Sequence, residues 1–412
     1  MIKKYSFRRN RSLSSRRLMG IALIGFLALS LISTAVYIIS GYIVNPAAAF
    51  FESVSAFTTT GVSVFTFPSA LPAWLSIFRS ACQWIGGIAT LIFFTALIGD
   101  SEIWSKAEGS VIHTGARFLA AVKRLIAVYG SLTLLEAILL IICRLDVKDA
   151  VCTALSGIST GGMIPEGKIS GAAEIIVLLF MILSMVNFTL YIHAICGHKD
   201  KLENNSELNA LVGIILAGCV LVSLSLIISG TYDFGKSVEY GFFQAVSSLS
   251  TTGYKVVGTS NWPTFAKAVL TILSFIGGSS MSAASGIKII RLVIIAKILS
   301  RSFTVRIHPK AIISAKANGK QVPRSAASAM SSYFLSYFAV YLLGVFIISF
   351  ESPDLISCFE VSAALLNNVG TCASGTLQMM YLSPVMFILM SILMLAGRME
   401  LYAILIPFTR KD

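Results

Sequence analysis

The sequence predicts an all-α polytopic membrane protein. Its plan is four pseudo-symmetric membrane–pore-loop–membrane repeats, giving eight transmembrane helices and four re-entrant pore helices around one central pore. Three observations predict it. The chain is apolar in long blocks, its Lys and Arg collect on alternate loops, and a short half-apolar segment ending in a glycine motif recurs four times.

Of the 412 residues, 56% are hydrophobic and 12% charged, with a mean hydropathy of +0.83. Soluble domains are roughly 45–50% apolar and about 25% charged. This composition excludes a disordered chain and argues against an ordinary cytosolic enzyme. The net charge of +13 has two readings, nucleic acid or cytoplasmic loops of a membrane protein. Position favours the second. Lys3, Lys4, Arg8, Arg9, Arg11, Arg16 and Arg17 lie in a tail directly before an uncharged run that starts at Leu18. No nucleic-acid partner is expected. The seven cysteines form no CxxC pair and the four histidines no HExxH motif, so neither a disulfide frame nor a metal centre is expected.

A span needs about 20 apolar residues. Eight candidates cover residues 18–44, 71–98, 117–143, 171–196, 208–229, 265–299, 325–349 and 381–408. The first is longer than a signal-peptide core and is read as a span. Between the members of each pair lie 46–59, 149–160, 238–251 and 355–367, too short to cross and of re-entrant length. Such segments survive at membrane depth only where protein buries them or water lines them. With the N-terminus inside, 19 Lys and Arg fall on inner loops and 5 on outer ones. That bias places both termini in the cytoplasm. The units are 18–98, 99–196, 197–299 and 325–412, with a basic tail at 1–17 and a basic linker at 300–324. Each has two spans, so all four share one orientation and can surround one axis.

Each half-span ends in a related text. Thr59-Thr60-Gly61, Thr160-Gly161-Gly162, Thr251-Thr252-Gly253 and Asn368-Val369-Gly370 align as [Thr/Asn]-x-Gly, with glycine gaps of 101, 91 and 117. In the second unit Gly162 is preferred over Gly161 because it leaves Thr160 aligned with Thr59 and Thr251. A dehydrated alkali cation needs a shell of oxygens, which rings of backbone carbonyls from four loops supply. Gly reaches the backbone angles this demands, and a Thr hydroxyl adds an oxygen. The preceding half-helix brings its partly negative C-terminal end towards the axis. Glu52 and Glu360 are expected near the starts of two half-helices, where a carboxylate suits the dipole.

With these motifs the chain resembles the Trk/Ktr/HKT superfamily of potassium-translocating subunits, over residues 18–408. Further stretches that carry the resemblance are Phe51-Glu52-Ser53, Gln83-Trp84-Ile85-Gly86-Gly87, Gly397-Arg398-Met399-Glu400 and the small-residue run that begins at Ile276 and ends at Arg291. The resemblance implies a four-loop filter with K⁺ as the bound and transported ion, since all four glycines are present. It also implies a homodimer with one pore per subunit, and a cytosolic RCK-type nucleotide-binding regulatory subunit of the TrkA/KtrA type. The loop texts are closer to the Trk branch than to Ktr. Trk members usually carry two helices ahead of the first unit, whereas the first span here starts at Leu18, and the branch stays open between the two.

The sixth span is interrupted by Gly277, Gly278, Ser279, Ser280, Met281, Ser282, Ala283, Ala284, Ser285 and Gly286. Ten residues of this kind propagate a helix poorly. They predict a flexible loop below the filter, and the resemblance implies an intramembrane gate; close helix packing is the other reading. Arg398 is costly at depth. It either faces the pore below the filter and limits cation dwell, as the resemblance implies, or pairs with Glu400, or snorkels. Lys288 and Arg291 either tether the gate or sit at the inner interface. Arg79 is read as structural. The basic linker either meets solvent and the anionic bilayer surface or docks a regulator. No Walker A motif is present and the Gly-rich segments do not follow strands, so no cofactor is expected in this chain and any nucleotide control comes from a partner. The expected function is K⁺ uptake at the cell (plasma or inner) membrane. The alternative is an alternating-access cation transporter coupled to K⁺ or Na⁺ symport.

Overall fold

The computed structural model describes residues 15–65, 71–100, 116–163, 171–197, 205–308, 316–317, 320–321, 324–352, 354–370, 382–399 and 401. Its element order repeats long helix, short helix, long or broken helix. The first round is α1 (Ser15–Ile39), α2 (Pro46–Phe57) and α3 (Ala73–Asp100). The second is α4 (Ala116–Ile142), α5 (Val147–Ile158) and the pair α6 (Ala172–Met185) and α7 (Phe188–Ile195). The third is α8 (Ser206–Ile228), α9 (Phe234–Leu249) and the pair α10 (Thr264–Ile276) and α11 (Ile289–Ile307). A two-residue antiparallel pairing, β1 (Lys316–Ala317) with β2 (Lys320–Gln321), sits in the basic linker. The fourth round is α12 (Arg324–Ile348), α13 (Leu355–Leu366) and α14 (Pro384–Arg398).

Five described helices, α1, α3, α4, α8 and α12, are each long and apolar enough to cross a bilayer, and the α6/α7 pair makes a sixth if read as one span. Their outward faces carry large apolar side chains, such as Ile24, Leu31 and Ile32 of α1. Two hydroxyls on the inward face of α1 are satisfied locally: Ser30 Oγ donates to Phe26 O at 2.8 Å and Thr34 Oγ1 to Ser30 O at 2.7 Å. Lipid offers hydroxyls no partners, so this back-bonding is what lets them be there.

The short helices start at acidic or amide caps: Asn45, Asp146, Asp233 and Asp354. All but Asp233 accept a backbone N–H of the first turn, as orphan donors there require. Pro46 follows Asn45 at the first helical position, where its missing N–H costs nothing. The caps lie 16 residues before Gly61, Gly162 and Gly370, but 20 before Gly253. α9 is accordingly one turn longer, 16 residues against 12 in the other three.

Two expectations change. Residues 171–196 are not one straight span: α6 and α7 meet at 91°, with Asn187 capping α7 through the Thr189 amide. Glu52 and Glu360 are not at helix starts but in the middle of α2 and α13. Glu52 instead pairs with Arg79 at 2.6 Å and accepts the Val64 amide at 2.8 Å, so it answers a buried cation and the strand of chain leaving the first turn. The tail up to residue 14, residues 371–381, Glu400 and residues 402–412 lie outside the described residues.

Two apolar cores tie the units together. One joins the first and fourth, with Phe51 of α2 against Phe387 of α14 at 5.4 Å. The other joins the second and third, and holds Val177 of α6 and Val246 of α9.

Candidate functional site

Each pore helix ends in the same hydrogen-bonded turn. Thr59, Thr160, Thr251 and Asn368 all have φ between 53° and 57°. Their amides bond three residues back, to Ala56, Gly157, Ser248 and Leu365. The next amides, of Thr60, Gly161, Thr252 and Val369, bond five back, to Ser55, Ser156, Ser247 and Ala364, at 2.7–3.1 Å. This is the Schellman C-cap, which usually places Gly at the left-handed position. Here it holds Thr or Asn four times, at about 1 kcal/mol or more of backbone strain each. The equivalence also settles the register in the second unit, because Thr160 and not Ser159 takes the left-handed angle.

The following glycines, Gly61, Gly162 and Gly253, have φ of 82°, 74° and 77°. Their lack of a side chain lets neighbouring loops touch. A Cβ on Gly61 would collide with Gly161 O, and one on Gly162 with Thr252 O, while one on Gly370 would reach Thr60 O at 2.6 Å. First, second and third loops are thus in contact in order, and the fourth returns to the first. The fourth loop departs from the others, since Gly370 is not left-handed.

A serine not foreseen from sequence supports three of the loops. Ser55 Oγ donates to Val62 O (2.5 Å), Ser247 Oγ donates to Tyr254 O (2.7 Å), and Ser156 Oγ accepts the Met163 amide (2.9 Å). Each stands six residues before its glycine, a spacing visible in the sequence, with Ala364 in the fourth unit. Gln83 of α3 also reaches across to the second loop: its Nε2 donates to Gly161 O at 2.7 Å and its Oε1 accepts Ser156 Oγ at 2.6 Å. The hydroxyls of Thr60 and Thr252 turn back to Thr58 and Ser250 at 2.7 and 2.8 Å.

The run Gly277 to Gly286 is a fully buried loop between α10 and α11. It is pinned to the break between α6 and α7, where the Ser279 amide donates to Met185 O and the Phe188 amide to Met281 O, at 3.0 and 2.9 Å. It meets the pore turns as well: Thr160 Oγ1 donates to Ala283 O at 3.1 Å, and the Ser285 amide donates to Thr251 Oγ1 at 2.9 Å. Lys288 Nζ donates to the Ser279, Ser282 and Ala284 carbonyls. Glu207 at the start of α8, also missed from sequence, accepts the Ser280 amide at 2.6 Å.

Arg398 is fully enclosed, and its donors go to Thr90 Oγ1 (2.9 Å), Ala283 O (2.8 Å) and Ser285 Oγ (2.9 Å). Its Nη2 is buried with no hydrogen-bond partner among the described residues. Arg291 is placed elsewhere, stacked on Tyr333 at 4.2 Å. Turns, loop, Lys288 and Arg398 therefore form one assembly, with Arg291 at its edge, donating to Ile287 O. At the N-terminus of α13, Asp354 accepts two amides and the Ser357 hydroxyl. These donors hold its carboxyl below the ordinary range, so it is ionised at neutral pH.

A family model described as "TrkH: Cation transport protein" matches residues 10–411. The Trk system potassium uptake protein TrkH of Vibrio parahaemolyticus is 28% identical over 88% of this chain and 78% of its own length. The Trk system potassium uptake protein TrkG of Escherichia coli K12 is 27% identical over the same shares. The crystal structure of the potassium transporter TrkH from Vibrio parahaemolyticus matches with a TM-score of 0.90 and 26% identity, covering 98% of this chain and 87% of that one.

Proposed function

The chain belongs to the TrkH family of cation transport proteins, membrane transporters and not enzymes, and from that premise we propose that it carries K⁺ into the cell through the four aligned turns. The observation that carries this reading is the fourfold recurrence of the left-handed [Thr/Asn]-x-Gly turn, with the first loop touching the second, the second the third and the fourth the first. Left-handed backbone followed by glycine turns successive carbonyls towards one side of the chain. Four such loops around an axis offer a cation a cage of oxygens comparable to its hydration shell. The filter is then Thr59 to Gly61, Thr160 to Gly162, Thr251 to Gly253 and Asn368 to Gly370, and the ion moves down its electrochemical gradient.

In this reading the loop Gly277 to Gly286 is the gate, held across the path by Lys288 and Arg398. The Arg398 guanidinium, buried without an acidic partner among the described residues, repels a cation that has passed the filter and shortens its stay. The four repeats are 18–98, 99–196, 197–299 and 325–412. The chain sits in the cell (inner) membrane with both termini in the cytoplasm, as a homodimer. Its regulator is a cytosolic RCK-type nucleotide-binding subunit, for which the basic linker 300–324 offers a docking face. The Trk system named for its relatives supports a multi-component assembly.

The test is ⁸⁶Rb⁺ uptake into liposomes holding the purified chain, with K⁺ or Na⁺ as competitor, beside Gly253→Ser. K⁺ should block better than Na⁺, and the mutant should lose discrimination, because a side chain at φ 77° is strained. Unaltered selectivity in a folded mutant moves the ion site elsewhere. One observation favours an alternating-access transporter: two broken spans, α6/α7 and α10/α11, meet at depth, as in transporters with midplane sites. Collapse of uptake by a protonophore at fixed membrane potential would select that reading.

A further inference from the structure

The left-handed residues Thr59, Thr160, Thr251 and Asn368 share one backbone conformation, but their side-chain oxygens fall into two pairs. Thr160 Oγ1 shares its proton between Ala283 O at 3.1 Å and Ser159 O at 2.7 Å, and Thr251 Oγ1 accepts the Ser285 amide at 2.9 Å. Ala283 and Ser285 both belong to the broken-span loop. Thr59 Oγ1 and Asn368 Oδ1 are buried without a hydrogen-bond partner among the described residues, and the Asn368 amide nitrogen is already committed to Thr60 Oγ1 and Met394 O.

We propose that Thr160 and Thr251 are a latch: their hydroxyls dock the loop, and docking fills a lone pair of Thr251 Oγ1 and fixes the direction of the Thr160 hydroxyl, so that the docked loop competes with a cation at the end of the filter nearest the loop. Thr59 and Asn368 supply two further oxygens, which have no donor among the described residues while the loop is docked. The inference rests on reading the turns as a cation filter, and it adds the device that couples filter to gate. A plug held only by Lys288 and Arg398 would be indifferent to filter occupancy. A loop that competes for the ring's oxygens is not. By linkage, a cation that recruits all four oxygens weakens loop docking to the same degree that docking weakens cation binding at that ring.

The experiment is ⁸⁶Rb⁺ flux through the full chain in liposomes without any cytosolic subunit, comparing wild type, Thr251→Val and Thr251→Ser. Valine keeps the shape and removes the acceptor of the Ser285 amide, whereas serine retains it. Loss of one such bond corresponds to a rise in basal flux of about three- to tenfold, and serine, which keeps the acceptor, should raise flux less than valine. Thr160→Val should act in the same direction. A second readout is thiol labelling of Ser282→Cys from the loop side, which should quicken as Rb⁺ rises. Basal flux unchanged in Thr251→Val, with Rb⁺ over Na⁺ discrimination intact, overturns the latch and leaves the filter standing. If Thr251→Val does not fold, a labelling rate independent of Rb⁺ overturns it instead. Absence of any Rb⁺ flux in wild type, with or without activator, sinks the filter reading and the latch with it.

Discussion

At the residue scale, the same strained position is occupied by Thr, Thr, Thr and Asn, where glycine would be easier. The strain is tolerated because each turn is over-determined by two backbone bonds and, in three units, by a serine hydroxyl. Those serines were legible as a six-residue spacing but had no meaning until the turn placed them beside the carbonyl or amide they serve. Beside the first turn, Glu52 and Arg79 are both enclosed, with side-chain exposures of 0% and 5%. Removing one member of such a pair leaves the other charge uncompensated, at roughly 3–5 kcal/mol. Arg79→Ala should therefore destabilise strongly in thermal melts of the detergent-solubilised protein. The double variant Arg79→Met with Glu52→Gln should recover much of that loss, and equal loss in both would show that the charges do not interact.

At the element scale, the decisive contacts are where a long helix crosses the end of a pore helix. A Cβ on Gly86 of α3 would collide with the Phe57 carbonyl, and one on Gly397 of α14 with the Leu366 carbonyl. Two helices in different repeats thus approach the ends of α2 and α13 in the same way. Gly86→Ala should push α3 off α2, lowering both stability and Rb⁺ flux. Gly213→Ala in α8 meets open space and should stabilise by about 1 kcal/mol through helix propensity. Thermal melts of the two variants read the contrast, and the idea fails if both behave alike. The break between α6 and α7 belongs to this scale as well. Its carbonyls at Ser184 and Met185 accept amides of the Gly277 to Gly286 loop, so the two interruptions satisfy each other. Asn187 was the one amide within that apolar run, too slight a signal to locate a 91° bend.

At the scale of the whole molecule, the ring closes because the first and last repeats share a core across Phe51 and Phe387. The charge asymmetry predicts which way it faces. Cys196 is exposed at the end of α7, on the side assigned to the cytoplasm. An impermeant maleimide should label it only in inside-out vesicles, and Cys196→Ser should remove that signal; labelling from the outer face would invert the topology. What the sequence determined by itself were the properties that repeat along the chain: the apolar spans, the four half-spans, the Lys and Arg bias and the aligned glycine motif. These are set locally, by the length of chain a bilayer demands and by the few residues a left-handed turn or a helix end accepts. What only the tertiary structure decided were partnerships between distant segments: Glu52 with Arg79, Gln83 with the second loop, Glu207 with Ser280, and Thr160 and Thr251 with the broken span. A buried polar group at membrane depth must find its partner within the protein, and which partner it finds depends on how the helices cross, a relation that no local pattern encodes.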